Sequence, residues 1–332
     1  MKNYHKIILA SAALIAAATS SYSADTQTTS TAKAVETKTE KETQAAPKEK
    51  GAPLPLHTIE GYGGVLITPI AYLVNPNPNG DIGLPSVSVT YVNARQKNVT
   101  SLSVTETLYG RVELGFAASR FGTGSLESQV LGATGIDIGS NDVWLYNFNA
   151  RTLILKENDF DTNWVPALTF AVQGKYNGNI QDISNALAAA GVPQGLGYIG
   201  YGRDYGVDFV LTASKAFDIY GHPLIFSVGG RASDAAQLGY LGFGGGYNVT
   251  VEGNVVFGVT NWLLLAFEYR QKPNPYNQNL SPLIGGENDW WTIGAAFILD
   301  KHTTLTAGYG HFGQVLNTQE NAAWAVALKY EF

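Results

Sequence analysis

Residues 323–332, AWAVALKYEF, decide the fold class of this chain. From Trp324 to Phe332 every second residue is large and apolar or aromatic, and the residues between them are alanine, lysine and glutamate. Successive side chains of a β-strand point to opposite faces, so this stretch predicts a strand with one face toward lipid and one toward a lumen. A chain built from such strands is a transmembrane β-barrel.

Eleven more segments of about ten residues show the same alternation. The twelve predicted strands cover residues 85–95, 99–107, 111–119, 142–156, 164–175, 206–217, 223–231, 247–259, 262–271, 290–299, 303–311 and 323–332. Short and long connections alternate between them, except for one very short outward loop at residues 96–98. This rhythm predicts an all-β, antiparallel up-and-down barrel of about 12 strands in the cell outer membrane, with termini and short turns in the periplasm. A barrel of fourteen strands remains the alternative.

Aromatic residues recur near the ends of the predicted strands, where an interfacial girdle of an outer-membrane barrel lies. They are Trp144, Tyr146, Trp164, Tyr247, Trp290, Trp291 and Tyr309. A soluble periplasmic sandwich is the alternative fold, because it also contains many short alternating strands and buries aromatic residues in its core. The alternation of short and long connections favours the barrel.

The N-terminus differs in composition from the rest of the chain. Two lysines precede an apolar stretch, and Ser21 and Ser23 occupy positions −3 and −1 of a cleavage site, which predicts a signal peptide at residues 1–23. Residues 24–56 interleave lysine, glutamate and threonine with almost no large apolar residue, which predicts a disordered periplasmic tether. A simple spacer and a periplasmic docking segment both remain open for it. Residues 57–332 are predicted to form the barrel.

Composition excludes several classes of function. The chain has no cysteine, which excludes a disulfide scaffold, thiol catalysis and thiolate metal sites. Its formal net charge is −6, and about −8 once the signal peptide with its two lysines and no acid is removed. No basic block is present, so nucleic acid is not an expected partner. Charged residues make up only 14% of the chain, which suits a membrane barrel.

Charged residues on the predicted lumen faces are the candidate functional residues. A charge facing lipid costs a few kcal/mol near the bilayer midplane, so alternation and energetics both place these side chains inward. The candidates are Arg111, Glu113, Arg151, Asp208, Arg231, Glu252, Glu268, Arg270, Lys329 and Glu331. Two interpretations remain open: the charges pair and brace a narrow barrel, or they line a polar pore or solute site and tune its selectivity.

No catalytic, cofactor-binding or metal site is predicted. The chain has no Gly-Xaa-Ser-Xaa-Gly elbow and no His-Xaa-Xaa-Xaa-His pair. The histidines beyond the signal peptide are interpreted as residues of the tether junction, of short turns or of a strand end: His57, His222, His302 and His311. The glycine strings at residues 122–125 and 242–246 precede no predicted helix, so they are interpreted as loops and bends rather than phosphate sites.

Two segments bear on whether a pore is open. Residues 63–75, GGVLITPIAYLVN, are apolar and interrupted by glycine and proline. We expect them to occupy the lumen, add an extra strand or lie along the periplasmic rim. The predicted loop at residues 181–195 contains a short helix-like run that is able to fold over or into the barrel mouth. Since twelve strands enclose a much narrower lumen than the 16 to 18 of open porins, we expect partial occlusion.

Several strings resemble an uncharacterised family of proteobacterial outer-membrane proteins, defined only as a domain of unknown function. The matching strings are GYGGVLITP from Gly61, YGRVELGFAASRF from Tyr109, LTASKAF from Leu211, GGRASDAAQLGYLGFGG from Gly229, LLAFEYRQKPNP from Leu264 and ENDWW from Glu287. They cover much of the barrel domain and neither the tether nor the loop at residues 181–195. The resemblance implies an outer-membrane barrel and supplies no activity.

The leading functional hypothesis is a narrow channel or transporter for small solutes, and not an enzyme. A structural or interaction barrel with a plugged lumen is the first alternative, and an outer-membrane enzyme is the second. No cofactor is expected. The expected partners are outer-membrane lipid, a small solute, and the barrel assembly machinery, since a C-terminal strand ending in Phe332 resembles the signal that this machinery recognises.

Overall fold

A computed structural model describes residues 56–76, 82–139, 142–278 and 283–332, so the predicted signal peptide and the tether up to residue 55 lie outside the described residues. Twelve strands form one closed antiparallel barrel, and β1 closes the ring against β14. The barrel strands are β1 (Ser86–Ala94), β2 (Lys97–Leu108), β3 (Val112–Gly122), β4 (Asp142–Leu155), β5 (Ala167–Asn177), β6 (Tyr205–Ile219), β7 (His222–Ala235), β8 (Phe243–Gly258), β9 (Leu263–Arg270), β10 (Trp290–Ile298), β11 (Thr303–His311) and β14 (Ala323–Glu331). The predicted barrel of twelve strands is confirmed.

The remaining elements lie in the connections. A separate hairpin pairs β12 (Gly313–Val315) with β13 (Thr318–Glu320). Two helices, α1 (Leu126–Thr134) and α2 (Ile180–Ala189), and the turns Gly195–Ile199 and Gln237–Gly239 complete the long connections. No helix among the described residues is long and apolar enough to cross a membrane. Helix α1 follows residues 122–125 directly, so the expectation that this glycine string precedes no helix was wrong.

The two rims differ as predicted. At one rim, the turn end, the strands are joined by short turns, such as Tyr109 and Gly110, whose positive φ angles of 53° and 57° match the twist of a tight hairpin. The other rim, the loop end, carries α1, α2 and the β12–β13 hairpin. One short connection also lies at the loop end, where Ala94 pairs with Lys97 across a two-residue turn.

The outer wall of the barrel is apolar. Phe148, Leu102 and Leu328 are each at least half exposed on this surface. Water-soluble monomeric proteins rarely expose apolar patches this large. Near the loop end aromatic rings pair across neighbouring strands, as Tyr91 does with Trp324, with ring centroids 5.5 Å apart. This is the exterior of an outer-membrane barrel, whose wall contacts lipid.

One of the predicted girdle residues does not belong to the girdle. Trp290 faces inward, is buried and packs against Phe312 at 5.0 Å, whereas its neighbour Trp291 faces outward. The prediction for Trp290 was wrong because two consecutive tryptophans on a strand must point to opposite faces.

A charge on the lipid-facing wall tests this assignment. Val326 lies on the outward face midway along β14, so we expect Val326→Arg to lower the free energy of unfolding by about 2–4 kcal/mol. The measurement is equilibrium unfolding by guanidinium in lipid vesicles, followed by tryptophan fluorescence. Val326→Ala is the control, with a loss well below that of the arginine. Equal losses for the two variants would show that this face does not contact lipid.

Candidate functional site

The lumen of the barrel is filled by the chain's own N-terminal segment. Residues 56–74, which we call the plug, are buried throughout except for the partly buried Tyr72. The plug folds back on itself, with bridges between His57 and Gly63 and between Gly64 and Pro69. Of the three placements expected for residues 63–75, the lumen is the one observed.

Six charged residues meet around Glu60 of the plug. We call them the central cluster: Glu60, Lys175, Asp208, Arg231, Glu252 and Arg270. Lys175 Nζ lies 2.6 Å from a carboxylate oxygen of Glu60 and 2.7 Å from one of Asp208. No side chain of the cluster is more than 3% exposed. Three acids and three bases give the cluster no net charge.

Arg231 is the centre of this network. Its guanidinium donates to Asp208 at 2.9 Å and to both carboxylate oxygens of Glu252 at 3.2 Å. It also donates to Gln173 Oε1 at 2.7 Å and to the Tyr62 hydroxyl at 2.8 Å. Three of these four acceptors project inward from strands β5, β6 and β8 and the fourth, Tyr62, belongs to the plug, so the guanidinium connects the plug to the wall.

Arg270 closes the cluster on the β9 side. Its Nη1 donates to Glu60 at 2.8 Å and to the carbonyl of Ile67 at 3.2 Å, while its Nε lies 3.4 Å from Glu252. Arg270 and Glu252 are paired directly in the β8–β9 register, so alternation alone brings them together on the lumen face.

A second pair, Glu113 and Arg151, binds the plug backbone. Their side chains form an ion pair at 2.6 Å, buried on β3 and β4. Glu113 accepts the N–H groups of Gly63 at 2.9 Å and Val74 at 2.8 Å. Arg151 donates to the carbonyls of Gly63 at 2.9 Å and Tyr72 at 3.0 Å, and to that of Ile70. The pair therefore holds two stretches of the plug against the wall, at Gly63 and at residues 70–74.

Glu268 on β9 holds the tip of the plug. One of its carboxylate oxygens accepts the consecutive N–H groups of Leu66, Ile67 and Thr68 at 3.0, 2.9 and 2.8 Å. The Thr68 hydroxyl donates to the same oxygen at 2.8 Å, and Thr292 donates to the other at 2.6 Å. Successive N–H groups that converge in this way form an anion site. Within the described part of the chain, Glu268 has no ion-pair partner, so its polar contacts come from the plug and from Thr292 of the wall.

One glycine of the wall sets the distance between plug and barrel. A Cβ on Gly115 of β3 would lie 2.1 Å from the carbonyl oxygen of Gly61, which itself has a positive φ of 84°. No side chain fits this contact. A larger residue at position 115 must therefore displace the plug without touching any ion pair.

We expect Gly115→Val to weaken docking of the plug by about 1–3 kcal/mol, the usual cost of overpacking. The measurement is hydrogen exchange of residues 61–74 in the folded, heat-modifiable protein, which should become faster. Gly174→Val is the matched control, since a Cβ there meets nothing closer than a carbonyl at 3.9 Å. Unchanged exchange in Gly115→Val would contradict the close contact.

The structure places the predicted charged residues as follows. Eight are buried on the lumen face: Glu113, Arg151, Asp208, Arg231, Glu252, Glu268, Arg270 and Lys329. Glu331 is partly buried and pairs with Lys329 at 2.6 Å near the turn end. Arg111 is exposed and donates to the carbonyl of Leu153, so its predicted lumen position was wrong. Strand β3 begins only at Val112, and the alternation does not extend into the turn before it.

Several central residues were missed. Lys175 shares the lumen face of β5 with Gln173, so the alternation used for the other charges also predicts its position. Glu60 and Tyr62 lie outside any alternating segment and carried no comparable signal. His57, expected at the tether junction, is buried in the lumen with its ring nitrogens 3.0 Å from the hydroxyls of Ser103 and Thr105.

The other histidines lie near the rims. His222 and His302 bond backbone carbonyls beside short turns, and His311 stacks on Trp291. No group of three or more histidine, aspartate or glutamate side chains among the described residues is placed to hold a metal ion.

The loop end covers the cluster incompletely. A polar cavity of about 30 Å³ lies there, with Lys175, Asp208 and Arg231 in its wall and the ion pair of Lys272 and Glu287, at 2.7 Å, near the loops. Tyr276 lies in the same loop, between β9 and β10. Its burial, and to a smaller extent the nearby carboxylate of Glu287, raise the pKa of Tyr276 well above its ordinary value. The phenol therefore stays protonated and donates to Glu287 at 3.2 Å.

Comparison with known families identifies the chain's relatives. The family described as "Protein of unknown function (DUF3034)" matches residues 55–329. The chain belongs to this family. The match covers the plug and nearly all of the barrel of this DUF3034 protein, and it confirms the resemblance inferred from the sequence strings. The sequence matches no curated protein.

Solved structures similar to this DUF3034 protein include three barrels of the outer membrane. A KdgM porin is 9% identical, with 74% of this chain and 99% of that chain covered and a TM-score of 0.43. The COG4313 outer membrane channel from Pseudomonas putida F1 is 12% identical, with 80% and 100% covered and a TM-score of 0.43. The outer membrane phospholipase (OMPLA) of Salmonella typhi is 10% identical, with 77% and 93% covered and a TM-score of 0.38. Similarity at this level carries no argument about function.

Proposed function

We propose that this protein is a narrow, plug-gated channel that passes small polar solutes across the outer membrane. The observation that carries the proposal is the polar lumen: the plug is held by carboxylates, guanidinium groups and an ammonium group on the wall. Apolar residues of similar volume often stabilise a protein as well as a buried ion pair does. Stability alone therefore does not explain why six charged side chains are clustered in the lumen. A path for solutes explains the cluster, because charged side chains of both signs bind and guide polar molecules.

The polar cavity at the loop end supports an entry route. It is lined by Lys175, Asp208, Arg231 and Arg270 of the central cluster, so the loop end is the side from which a widened opening would reach these charges. Because the cluster has no net charge, we expect neutral or zwitterionic solutes to pass more readily than ions of either sign. We further propose that the turn end and both termini lie in the periplasm, in keeping with the even strand number.

A plugged barrel without transport is the second candidate, and the pairing within the central cluster favours it. Each of its six charged groups has an opposite charge within 3.4 Å, so none requires a solute for compensation. The proposal does not include catalysis. His57 of the plug is in contact with Ser103 of the wall, but both side chains are buried between plug and wall.

Deletion of residues 56–74 tests the channel. We expect the intact protein to be closed for most of the time in planar bilayers, and the deletion variant to give a steady conductance, because the segment that fills the lumen is gone. The matched control removes an equal length at residues 30–48 and leaves the plug in place. Folding of each variant is checked by heat-modified migration in gels.

The two candidates give different results. If the folded deletion variant carries no current and liposomes containing it take up no sugar or amino acid, the plugged structural barrel replaces the channel. A current in the 30–48 deletion variant as large as in the plug deletion would show that the plug does not control the opening.

A further inference from the structure

The wall of the lumen provides hydrogen-bond donors for the carbonyl groups of the plug. Asn149 Nδ2, on β4, donates to two consecutive plug carbonyls at 2.7 and 3.1 Å. Asn254 Nδ2, on β8, donates to the carbonyl of Pro69 at 2.8 Å. Both asparagine side chains are buried, and the guanidinium of Arg151 serves three more plug carbonyls. The main-chain oxygens of the plug are therefore bound from several strands.

The same wall provides acceptors for the N–H groups of the plug. Glu268 accepts three consecutive N–H groups, and Glu113 accepts two more. Ser214 Oγ accepts the N–H of Ala71 at 2.8 Å. These three acceptors lie on β9, β3 and β6, each three strands from the next around the ring. The wall thus binds both polar groups of the peptide unit on different sides of the lumen.

Peptide groups are the same in every polypeptide, whatever its side chains. Where an extended peptide docks through its main chain, these hydrogen bonds supply affinity, and pockets for side chains supply specificity. Because the wall uses its own side chains to bind the plug's main chain, the groups that it recognises are present in any extended peptide.

The side chains of the plug meet apolar parts of the wall. Val65 and Ile70 pack with Ile225, Val256 and Leu264 near the turn end. Burial of aliphatic side chains in this way is favourable in proportion to the apolar area removed from water. A solute with aliphatic side chains gains the same free energy there, whereas a sugar has no such groups to bury.

We propose that the lumen vacated by the plug binds short, extended peptides with aliphatic side chains, and that such peptides are the solutes of this channel. The inference rests on the proposed function, since it names the solute class for the same path. In the closed state the plug occupies the site as an internal peptide ligand. A peptide that binds only the vacated lumen shifts the barrel toward its open state.

Full-length Gly61→Val provides a loosened plug with an unaltered wall. Gly61 has a φ of 84°, and a Cβ there would lie 2.8 Å from the Cβ of Ala117, so valine is strained in the docked plug. Every wall group that binds the plug's main chain is unchanged. Faster hydrogen exchange at residues 61–74 identifies the loosened plug, and the heat-modifiable deletion of residues 56–74 is a second protein with a vacated lumen.

The probe is a fluorescent, end-capped peptide with the sequence of residues 63–74, GGVLITPIAYLV. Its binding to protein in lipid nanodiscs is followed by fluorescence anisotropy, and empty nanodiscs correct for partition into lipid. We expect saturable binding to both variants, and binding at least about tenfold weaker to the unaltered protein, because the attached plug competes at high effective concentration. An unrelated capped tetrapeptide of alanine and valine should displace the probe, and the trisaccharide raffinose should not.

A second probe replaces the three N–H groups that correspond to residues 66–68 with ester oxygens. It keeps the side chains but offers Glu268 no main-chain donor there, so it should bind Gly61→Val at least about tenfold more weakly than the first probe. The double variant Gly61→Val with Glu268→Leu should lose this preference. The double variant Gly61→Val with Arg120→Met is the matched control and should retain it, since Arg120 lies at the loop end and pairs with Asp142.

Equal binding of the two probes to Gly61→Val, displacement by raffinose as effective as that by the tetrapeptide, or no saturable binding to either vacated protein would overturn the peptide site. Saturable, ester-sensitive binding to a variant that carries no current would uphold the site although the channel fails. A steady current without peptide binding would overturn the peptide site alone.

Discussion

Replacing Arg231 with methionine is expected to lower the free energy of unfolding by about 3–5 kcal/mol, the usual cost of removing one partner from a buried ion pair. The substitution keeps most of the side-chain volume but leaves Asp208 and Glu252 without the guanidinium that lies 2.9 and 3.2 Å from them. Both carboxylates are buried, so bulk water does not replace the guanidinium. Equilibrium unfolding in vesicles measures the change.

The matched control is Arg120→Met. Arg120 also pairs with an aspartate, Asp142, at 2.7 Å, but the two side chains are 41% and 35% exposed at the loop end. Exposed pairs contribute about 0–1 kcal/mol, so this variant should unfold almost as the unaltered protein does. If both arginine variants lose the same small amount, the central cluster is hydrated and does not bear on stability.

Replacing Glu268 with leucine is expected to release the plug. The N–H groups of Leu66, Ile67 and Thr68 lose their acceptor, and each buried donor left without a partner costs about 1–3 kcal/mol. The barrel itself need not unfold to relieve this cost, because the plug regains hydrogen bonds by moving into water. We therefore expect frequent channel openings in planar bilayers and rapid hydrogen exchange at residues 61–74.

The control for this variant is Glu268→Gln. Its amide oxygen still accepts from the same N–H groups, although more weakly than a carboxylate, so its effect should lie between those of the leucine variant and the unaltered protein. A leucine variant that stays closed, with slow exchange at residues 66–68, would show that other contacts are sufficient to hold the plug.

The barrel was predictable because its signal is local. Each strand carries its own alternation, as in Trp324, Val326 and Leu328 against the alanines between them, and the pairing order follows the order along the chain. Errors arose at strand ends. Arg111 continues the lumen-facing alternation of β3, but it precedes the first paired residue of that strand. Trp290 was assigned to the girdle because it is aromatic, although the alternation along β10 places it inward.

The plug was not predictable in the same way. Residues 56–74 form no regular strand or helix, so they have no period to detect, and their backbone bonds are completed by wall residues far away in the chain. Their apolar character and the interruption by glycine and proline left three placements open: the lumen, an extra strand or the periplasmic rim. The pairing of Glu60 with Lys175 and Arg270 depends on where the plug docks in the lumen, which no sequence pattern specifies.

The bonds between Glu268 and the plug join residues about 200 positions apart, with Leu66 separated from Glu268 by 202 residues. Strands joined by short turns, by contrast, pair across only a few residues, as at Ala94 and Lys97. Contacts between distant residues form late in folding, since the entropy of closing a long loop must be overcome first. By the same reasoning the hairpins form first, while docking of the plug and closure of the ring by β1 and β14, whose partners Ser86 and Glu331 lie 245 residues apart, both come later, so we expect every newly made hairpin to exist for a time without the plug beside it.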